Sequence, residues 1–502
     1  MKKIISILFV VTFLLCINLN VNSKTIPSAI ETDFDPLVDI EITFEAQVLR
    51  YLEEDAPLKS TKNIFNQKID QNFDNSPIFQ YLKNIINKKT SGTNNFNMYL
   101  KVFINGNEFT SNIWNNKKYV YDPDWSVTYN VPDDQEIVNI KIQLWNSKDI
   151  GNDVICDISG DSGVSDVELE YNIKSGHWTG DDELNDPSGY GRLCGCDDGT
   201  ILKTDKDAEL WFNIYQNDYD GDGIPYWYEV NEYGSDPEVK NSGDPDNDDI
   251  PVDWEWKWGY DPFNFENHDK LDPDGDSIDN LEEYLTSEWF SDPFRKDVFV
   301  EMDIMGEGPG GKKAYFPENS KELLFTAFNR QNFVIHIDSG DMGGHDIVPF
   351  DELSSHGEIT KIYEDYFLHG NPNTWRRGVF HYGLVAYEVD GPNGYTFKPN
   401  AFVISSKSME DRSGDIICPR DITYASCYMH ELGHTFAFWP IPGHDENSRF
   451  PWQLGFWLNR PYKSCMNYAW VYNLVDFSDG SRRDPDIDDW ARIDWDSFER
   501  NW

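Results

Sequence analysis

His430-Glu431-Leu432-Gly433-His434 lies within Ile422–Phe438, a run with enough apolar residues to form a half-buried helix. Residues four positions apart share one face of a helix, so His430 and His434 would direct two imidazoles towards one metal ion. Glu431 follows the first histidine, where its carboxylate can act as a general base on a water molecule. Two nitrogen ligands and a carboxylate at this spacing predict a hydrolytic Zn2+ site.

A second motif, Ser464-Cys465-Met466-Asn467-Tyr468, lies downstream of the first. The two motifs in this order resemble the metzincin family of zinc endopeptidases, over residues 296–480. The resemblance implies an α+β metzincin-like catalytic domain that cleaves protein or peptide substrates with Glu431 as the general base. It also implies a structural role for Met466 beneath the metal and a catalytic role for Tyr468 at the metal or the oxyanion.

The sequence departs from this family at the third zinc ligand. Metzincins continue as HExxHxxGxxH, whereas Ala437 stands here at the glycine position and Pro440 at the position of the third histidine. Proline has no metal-binding side chain, so the usual ligand is missing. Because alanine does not end a helix as glycine does, we expect the helix to continue to about Trp439.

A short insertion is expected to replace the missing ligand. Pro440 and Pro442 would end the helix, and Gly443 would reverse the chain, which brings the next residues back towards the metal. His444 is the predicted third zinc ligand. Asp445 is the alternative, because carboxylate oxygen also binds zinc.

Acidic residues recur at one spacing three times in residues 216–295. Each unit has aspartates at loop positions 1, 3 and 5, an isoleucine at position 7 and a glutamate at position 12, which is the spacing of an EF-hand calcium loop. The carboxylates can converge on one ion, and the final glutamate can bind it through both oxygens. The predicted Ca2+ ligands are Asp218, Asp220, Asp222 and Glu229; Asp244, Asp246, Asp248 and Glu255; and Asp272, Asp274, Asp276 and Glu283.

This array resembles thrombospondin type 3 repeats of the prokaryotic type, which implies calcium as a second cofactor. Only the first loop has glycine at position 6, Gly223, whereas Asp249 and Ser277 stand there in the others, which predicts looser second and third loops. The alternative is a solvated acidic linker. Interleaved tryptophans such as Trp254 and Trp258 argue against it, because disordered segments are poor in aromatic residues.

Residues 24–215 are predicted to form a β-sandwich domain with a helical insert at Ile64–Lys88. Alternating apolar and polar residues indicate strands, and Asn105-Gly106 is typical of a hairpin turn. The order of the segments around Trp125 and Trp145 resembles the calcium-dependent lipid-binding β-sandwich of the synaptotagmin kind. Lys148 stands in a loop where that family has acids, so we expect the fold without its ion site. The predicted strands are Asp39–Leu49, Tyr99–Ile104, Trp125–Tyr129 and Ile137–Trp145.

The chain of 502 residues carries a formal net charge of −47, from 89 acidic and 42 basic residues. Such a surface repels nucleic acid and anionic membranes, so we expect no nucleic-acid partner and no stable membrane insertion. Residues 1–23 combine Lys2 and Lys3 with the apolar run Ile4–Leu19, as a secretory signal peptide does. The mature protein is therefore expected to be secreted.

Six of the seven cysteines follow that segment, and an even number in a secreted chain is compatible with disulfides. The pairings considered are Cys156 with Cys194 or Cys196, and Cys418 with Cys427 or Cys465.

The sequence thus predicts a multidomain protein: a signal peptide, a β-sandwich, a calcium-loop array, an α+β catalytic domain and an acidic C-terminal tail at 481–502. The expected function is that of a secreted zinc endopeptidase. The alternative is a calcium-rigidified cell-surface binding or adhesion protein with a degenerate peptidase domain, which the proline at position 440 keeps open. Predicted elements of the catalytic domain are strands Asp297–Ile304, Phe333–Ile337, Val379–Tyr387 and Ala401–Ile404, and a helix at Glu318–Gln331.

Overall fold

The structure, a computed structural model, describes residues 40–52, 96–148, 151–181, 191–195, 206–241, 243–340, 342–344, 346–413 and 419–497. The predicted signal peptide, the helical insert Ile64–Lys88, Cys196 and Cys418 lie outside the described residues.

Two antiparallel sheets form the first part of the chain. One has the strand order β4-β1-β10-β9 and the other the order β3-β2-β5-β7-β8, with β6 paired to β5. The strands are β1 Glu41–Tyr51, β2 Met98–Ile104, β3 Asn107–Thr110, β4 Tyr119–Asn130, β5 Ile137–Asn146, β6 Val154–Cys156, β7 Val167–Asn172, β8 His177–Gly180, β9 Gly191–Cys194 and β10 Ala208–Gln216.

The two sheets share one hydrophobic core, as the faces of a β-sandwich do. Phe44 and Phe212 of the first sheet stack at 5.4 Å, and both belong to the cluster that includes Leu100 and Ile142 of the second sheet. The predicted hairpin at Asn105-Gly106 is confirmed: both residues have positive φ, 49° and 80°, and join β2 to β3. The prediction of a β-sandwich here agrees with this arrangement.

Short helices follow the acidic loops. Tyr226–Tyr228 (α1) continues as a π-helical turn at Glu229–Tyr233, and α2 Val252–Trp258 and α3 Asn280–Thr286 follow the second and third loops. Trp254 and Trp258 of α2 are buried in one cluster with Trp211 of β10 and with Val334, which belongs to a third sheet formed by the residues after the array. These two tryptophans of the array are therefore packed between other elements, which is unlike a solvated linker.

A third sheet has the strand order β12-β11-β14-β16-β15, with β13 also paired to β11. All its pairings are parallel except that of β15 with β16. Its strands are β11 Asp297–Met305, β12 Val334–Asp338, β13 Ile347–Val348, β14 Phe380–Ala386, β15 Gly394–Lys398 and β16 Ala401–Ser405. The helices around it are α4 Glu318–Asn329, α5 His356–Ile362 with a π-helical extension at Tyr363–Phe367, α6 Arg376–Val379, α7 Ser406–Arg412, α8 Arg420–Thr435 and α9 Leu454–Leu458.

Helix α8 contains the HExxH motif and is almost entirely buried, because α4 covers it on one side and strands β15 and β16 on the other. The segment predicted as a separate acidic tail also joins this core. Trp490 is 5% exposed and contacts Phe328 of α4 and Phe477, with ring centroids 5.1 and 4.9 Å away. Apolar burial therefore attaches the described part of this segment, residues 481–497, to the same unit.

The cysteines that the structure describes are all buried, and no disulfide joins any of them. The predicted pairing of Cys156 with Cys194 is therefore wrong. The pairings with Cys196 and Cys418 fall outside the described residues. In the part of the chain that is described, no helix is long and apolar enough to cross a bilayer.

Candidate functional site

Helix α8 places His430 and His434 on one face, as their spacing predicts. Their ring centroids lie 4.9 Å apart and the rings are nearly perpendicular. His430 is 4% exposed, so its imidazole is held within the fold rather than in solvent. The helix therefore supplies two of the three predicted zinc ligands.

The helix ends differently from the prediction. It does not continue to Trp439 but ends at Thr435, and Ala437 has φ of 57° in the left-handed region that usually requires glycine. Ala437 thus adopts a backbone conformation that glycine usually supplies, despite its side chain. The predicted reversal at Gly443 is present, with φ of 74°, and leads directly to His444.

His444 lies against both histidines of α8. Its Nε2 is 3.3 Å from Nε2 of His430, and its ring centroid is 4.9 Å from that of His434. Two nitrogens bound at about 2.0–2.1 Å in a tetrahedral zinc site lie roughly 3.3–3.4 Å apart. One ligand atom from each of the three histidines lies within 4.8 Å of the others, so the cluster has the size of a zinc site.

The protonation of these histidines suits a metal. Nδ1 of His430 is 2.8 Å from the carbonyl oxygen of Cys465, which can only accept a hydrogen bond, so Nδ1 carries the proton and Nε2 presents a lone pair. Burial and the neighbouring histidines lower the pKa of His430 well below its usual value, and burial chiefly lowers that of His434 to about 4. Both imidazoles are therefore neutral at neutral pH.

Asp445, the rival third ligand, has other contacts. Its Oδ1 accepts the backbone N–H of Asn447 at 2.7 Å, and its Oδ2 accepts the hydroxyl of Ser448 at 3.2 Å. This carboxylate shapes the turn after His444, and His444 is the residue that joins the other two histidines.

Glu431 is enclosed between α8 and the edge strand β15. A Cβ atom on Gly394 of that strand would lie 2.8 Å from Oε1 of Glu431, and Thr396 donates a hydrogen bond to its backbone oxygen at 3.0 Å. Burial raises the pKa of Glu431 to about 8. A carboxyl group with a raised pKa near the working pH is suited to exchange protons with a reactant.

The second motif lies beneath the histidines. Met466 is fully buried, and its sulfur is so close to α8 that a Cβ atom on Gly433 would lie 2.5 Å away. Tyr468 is beside the cluster, with its ring centroid 4.3 Å from that of His444. The structure therefore brings together all six residues predicted for this site: His430, Glu431, His434, His444, Met466 and Tyr468.

The three acidic loops have the same conformation. In each, the position-1 aspartate accepts the backbone N–H of position 6, from Gly223, Asp249 and Ser277, at 2.8, 2.9 and 3.0 Å. Asp249 and Ser277 have φ of 76° and 72°, so they take up the glycine conformation. The prediction of looser second and third loops is wrong, because these hydrogen bonds hold the left-handed residue in place.

The carboxylates of each loop converge as predicted. Those at positions 1, 3 and 5 offer oxygens within 4.8 Å of one another in all three loops. Position 12 completes each loop with a buried glutamate: Glu229 and Glu255 are 0% exposed and Glu283 is 1% exposed. Among the described residues, neither carboxylate oxygen of Glu283 has a hydrogen-bond partner, which is costly for a buried charge and fits a bound cation.

Sequence reasoning missed residues that lie far from these loops along the chain. The position-5 aspartates Asp222, Asp248 and Asp276 each accept a backbone N–H from a distant residue. The donors are Asn241 at 2.8 Å, Glu266 at 3.2 Å and Asp297 at 2.6 Å. No local spacing marks these donors. The third, Asp297, is the first residue of β11, so this loop is attached to the sheet that packs against the helix with the HExxH motif.

A second missed feature is an exposed apolar surface after His444. Helix α9 buries Phe456 against Trp470, while its other side leaves Trp457 and Leu458 55% and 61% exposed. Leu454 at the start of α9 and Trp452 just before it are also exposed. Large apolar surface of this kind often marks a binding site.

Comparisons with known proteins identify no family for this chain. No protein-family model matches the chain. No curated protein matches it either. Among solved structures, "Structure of a C2 domain" is 8% identical, covers 36% of this chain and 98% of that chain, with a TM-score of 0.18. A C2 domain of plant extended synaptotagmin 1 is 7% identical, and the match covers 36% of this chain and 95% of that chain with a TM-score of 0.18.

Human GIVD cytosolic phospholipase A2 is 9% identical, with 36% of this chain and 16% of that chain covered and a TM-score of 0.18. Scores this low carry no argument about function. The β-sandwich assignment rests on the two sheets and their shared core.

Proposed function

We propose that this protein is a secreted zinc-dependent endopeptidase. The observation that carries the proposal is the cluster of His430, His434 and His444 with Glu431 beside it on a buried helix. Three neutral imidazoles and no carboxylate among the ligand atoms suit Zn2+, which favours nitrogen ligands and keeps an open position in hydrolases. The site also matches the zinc site that the metzincin resemblance implies.

The roles of the residues follow from their chemistry. A zinc ion at this cluster would supply Lewis acidity, polarising a peptide carbonyl and lowering the pKa of a water molecule. Glu431 would take the proton of the attacking water and deliver it to the leaving amine. The hydroxyl of Tyr468 would donate a hydrogen bond to the carbonyl oxygen as negative charge develops there.

The edge strand β15 supports a peptide substrate. Among the described strands it pairs only with β16, so its other edge has backbone groups available to an added strand. Gly394 at its start lies against Glu431, so an extended peptide bound along this edge would run past the general base. The exposed apolar side chains of α9 offer further contact surface for a protein substrate.

In this proposal, calcium ions bound at the acidic loops have a structural role. The loops are packed between the β-sandwich and the third sheet, so neutralising their carboxylates would stabilise the junction between them. Calcium is abundant outside cells, which agrees with the secretion predicted from residues 1–23.

The experiment compares the mature chain with its Glu431→Ala variant for zinc content and for cleavage of an unfolded protein substrate. Glu431 is not a ligand in this proposal, so the variant should retain zinc while turnover falls by roughly 10²–10⁴-fold. Glu364→Gln, at an exposed position in the π-helical extension of α5, is the matched control and should behave as the native chain. Equal cleavage by Glu431→Ala would overturn the assignment. A zinc-loaded native chain that cleaves nothing would favour the binding-protein alternative.

A further inference from the structure

We propose that the second acidic loop binds a divalent transition-metal ion, such as zinc or manganese, with His268 as a nitrogen ligand beside Asp248 and Glu255. This differs from the calcium predicted for that loop. It does not rest on the peptidase proposal, because the residues concerned are not those of the histidine cluster.

His268 enters the loop from the following segment. It lies in a 3-10 turn, His268–Lys270, and its Nε2 is 3.2 Å from Oδ2 of Asp248 and 3.7 Å from Oε1 of Glu255. One ligand atom from each of these three residues lies within 4.8 Å of the others. A nitrogen and two carboxylates thus face one small volume.

The buried atoms that face this volume contact chiefly one another. His268 is 1% exposed and Glu255 is 0% exposed, and among the described residues both oxygens of the glutamate lack a hydrogen bond within normal length, the nearest contact being Nε2 of His268 at 3.7 Å from Oε1. Both oxygens of Asp246 and one of Glu266 are also buried without a partner. Buried polar atoms are nearly always satisfied, and buried carboxylates need a cation, so a bound ion would supply the partner that these carboxylate oxygens lack.

The second loop differs chemically from the other two. The groups of possible ligands at the first and third loops consist of aspartates alone, whereas the second includes an imidazole. Calcium takes oxygen ligands, whereas imidazole suits zinc and other first-row transition ions. The substitution of one nitrogen for oxygen would therefore shift the preference of this loop away from calcium.

A buried contact fixes the orientation of the imidazole. Nδ1 of His268 lies 3.0 Å from Nδ2 of Asn280, which is fully buried on α3. In this arrangement the amide N–H of Asn280 donates to Nδ1, so without a metal the proton of His268 is on Nε2. Metal binding at Nε2 would place the proton on Nδ1 and turn the Asn280 amide so that its oxygen accepts that proton. Asn280 would then be the positioning residue for this ligand.

The experiment uses the full mature chain carrying His434→Ala and His444→Ala, which removes two of the three histidines of the zinc cluster. This chain is titrated with Mn2+ in calcium-saturated buffer, and bound Mn2+ is counted and examined by pulsed electron paramagnetic resonance. We expect one tightly bound Mn2+ that calcium does not displace and that shows coupling to an imidazole nitrogen. His268→Gln should remove this ion and its nitrogen coupling, whereas the exposed His369→Gln should change neither.

The outcomes separate this proposal from its rivals. Full displacement of Mn2+ by calcium, or bound Mn2+ without nitrogen coupling, overturns it and leaves the loop as a calcium site. The first measurement needs no change at His268, so poor folding of His268→Gln would not decide the result. Retention of the nitrogen coupling in folded His268→Gln also overturns it, because the nitrogen would then come from another residue such as His430.

Discussion

His430 donates its Nδ1 hydrogen to the backbone oxygen of Cys465 at 2.8 Å. This one hydrogen bond joins the helix with the HExxH motif to the turn that contains Met466. It also fixes the tautomer of His430, because the proton held at Nδ1 leaves Nε2 to face His444. The two sequence motifs are therefore parts of one site in three dimensions.

The third ligand can be tested directly. His444→Ala should lower zinc affinity by more than the roughly 10–100-fold that loss of a hydrogen bond to a metal ligand produces. Asp445→Ala should leave zinc binding close to native, because its carboxylate contacts Asn447 and Ser448 instead. Zinc affinity is measured by competition with a chelating dye. The reverse ranking of the two variants would make Asp445 the ligand.

Gly433 should tolerate no side chain. A Cβ atom there would lie 2.5 Å from the sulfur of Met466 and 2.9 Å from Phe477, so Gly433→Ala must push α8 and the methionine apart. We expect a loss of about 1–3 kcal/mol in the free energy of unfolding, measured in urea, and a lower zinc affinity. Gly357→Ala is the control, because a Cβ atom at that helical position meets nothing within 4 Å. Equal stability of the two variants would contradict the close packing.

The calcium-free protein should become less stable as the pH rises. Burial, with the neighbouring carboxylates, raises the pKa of Glu229 to about 7 and that of Asp274 to about 10 in the folded chain. The native state then binds more protons than the unfolded state above about pH 4, so the free energy of unfolding falls with increasing pH across this range.

The measurement is the melting temperature between pH 5 and 8, with a chelator or with excess calcium. In the presence of the chelator, the melting temperature should fall as the pH rises towards 8. Calcium should raise it most at pH 8, because the carboxylates are then free to bind the ion. Melting temperatures that do not respond to calcium at any pH would indicate that the array is only an acidic linker.

Glu209 should be essential for stability. It is fully buried in β10 and contacts Arg50 and Arg192, and it accepts a hydrogen bond from Asn329 of α4 at 2.7 Å. Burial opposes its ionisation, but the two guanidinium groups prevail and lower its pKa to about 2. The stabilisation is therefore present at neutral pH and is lost as the pH falls from about 4 to 2.

Glu209→Gln removes the charge that compensates two buried arginines and should lower the free energy of unfolding by about 3–5 kcal/mol. Glu170→Gln, at an exposed position of β7, is the matched control and should change it little. Because Asn329 belongs to the helix behind α8, zinc affinity is measured as well. A loss of less than about 1 kcal/mol would show that the arginines find other partners.

The apolar surface of α9 should affect protein substrates more than short peptides. Trp457→Ser is expected to raise KM for an unfolded protein substrate several-fold with kcat unchanged, because it removes binding area without touching the reacting groups. Val239→Ser, also strongly exposed but on the acidic array, is the control. An equal change for a short peptide that spans only the cleavage site would assign Trp457 to the catalytic site itself.

The sequence by itself determined the features that depend on local spacing. The histidines of α8, the aspartates of each acidic loop and the turn at Asn105-Gly106 were all predicted, and the structure has them as expected. A helix fixes residues four apart on one face, and a tight loop turns alternate carboxylates inward, whatever the rest of the fold does.

Tertiary structure decided what depends on contacts between distant segments. It brought His444 rather than Asp445 to the histidines and placed His268 in the second loop. It also held Ala437 in a glycine-like conformation and ended α8 at Thr435. These outcomes follow from which buried groups pack and hydrogen-bond with one another once the chain is compact, and no local pattern in the sequence specifies those partners.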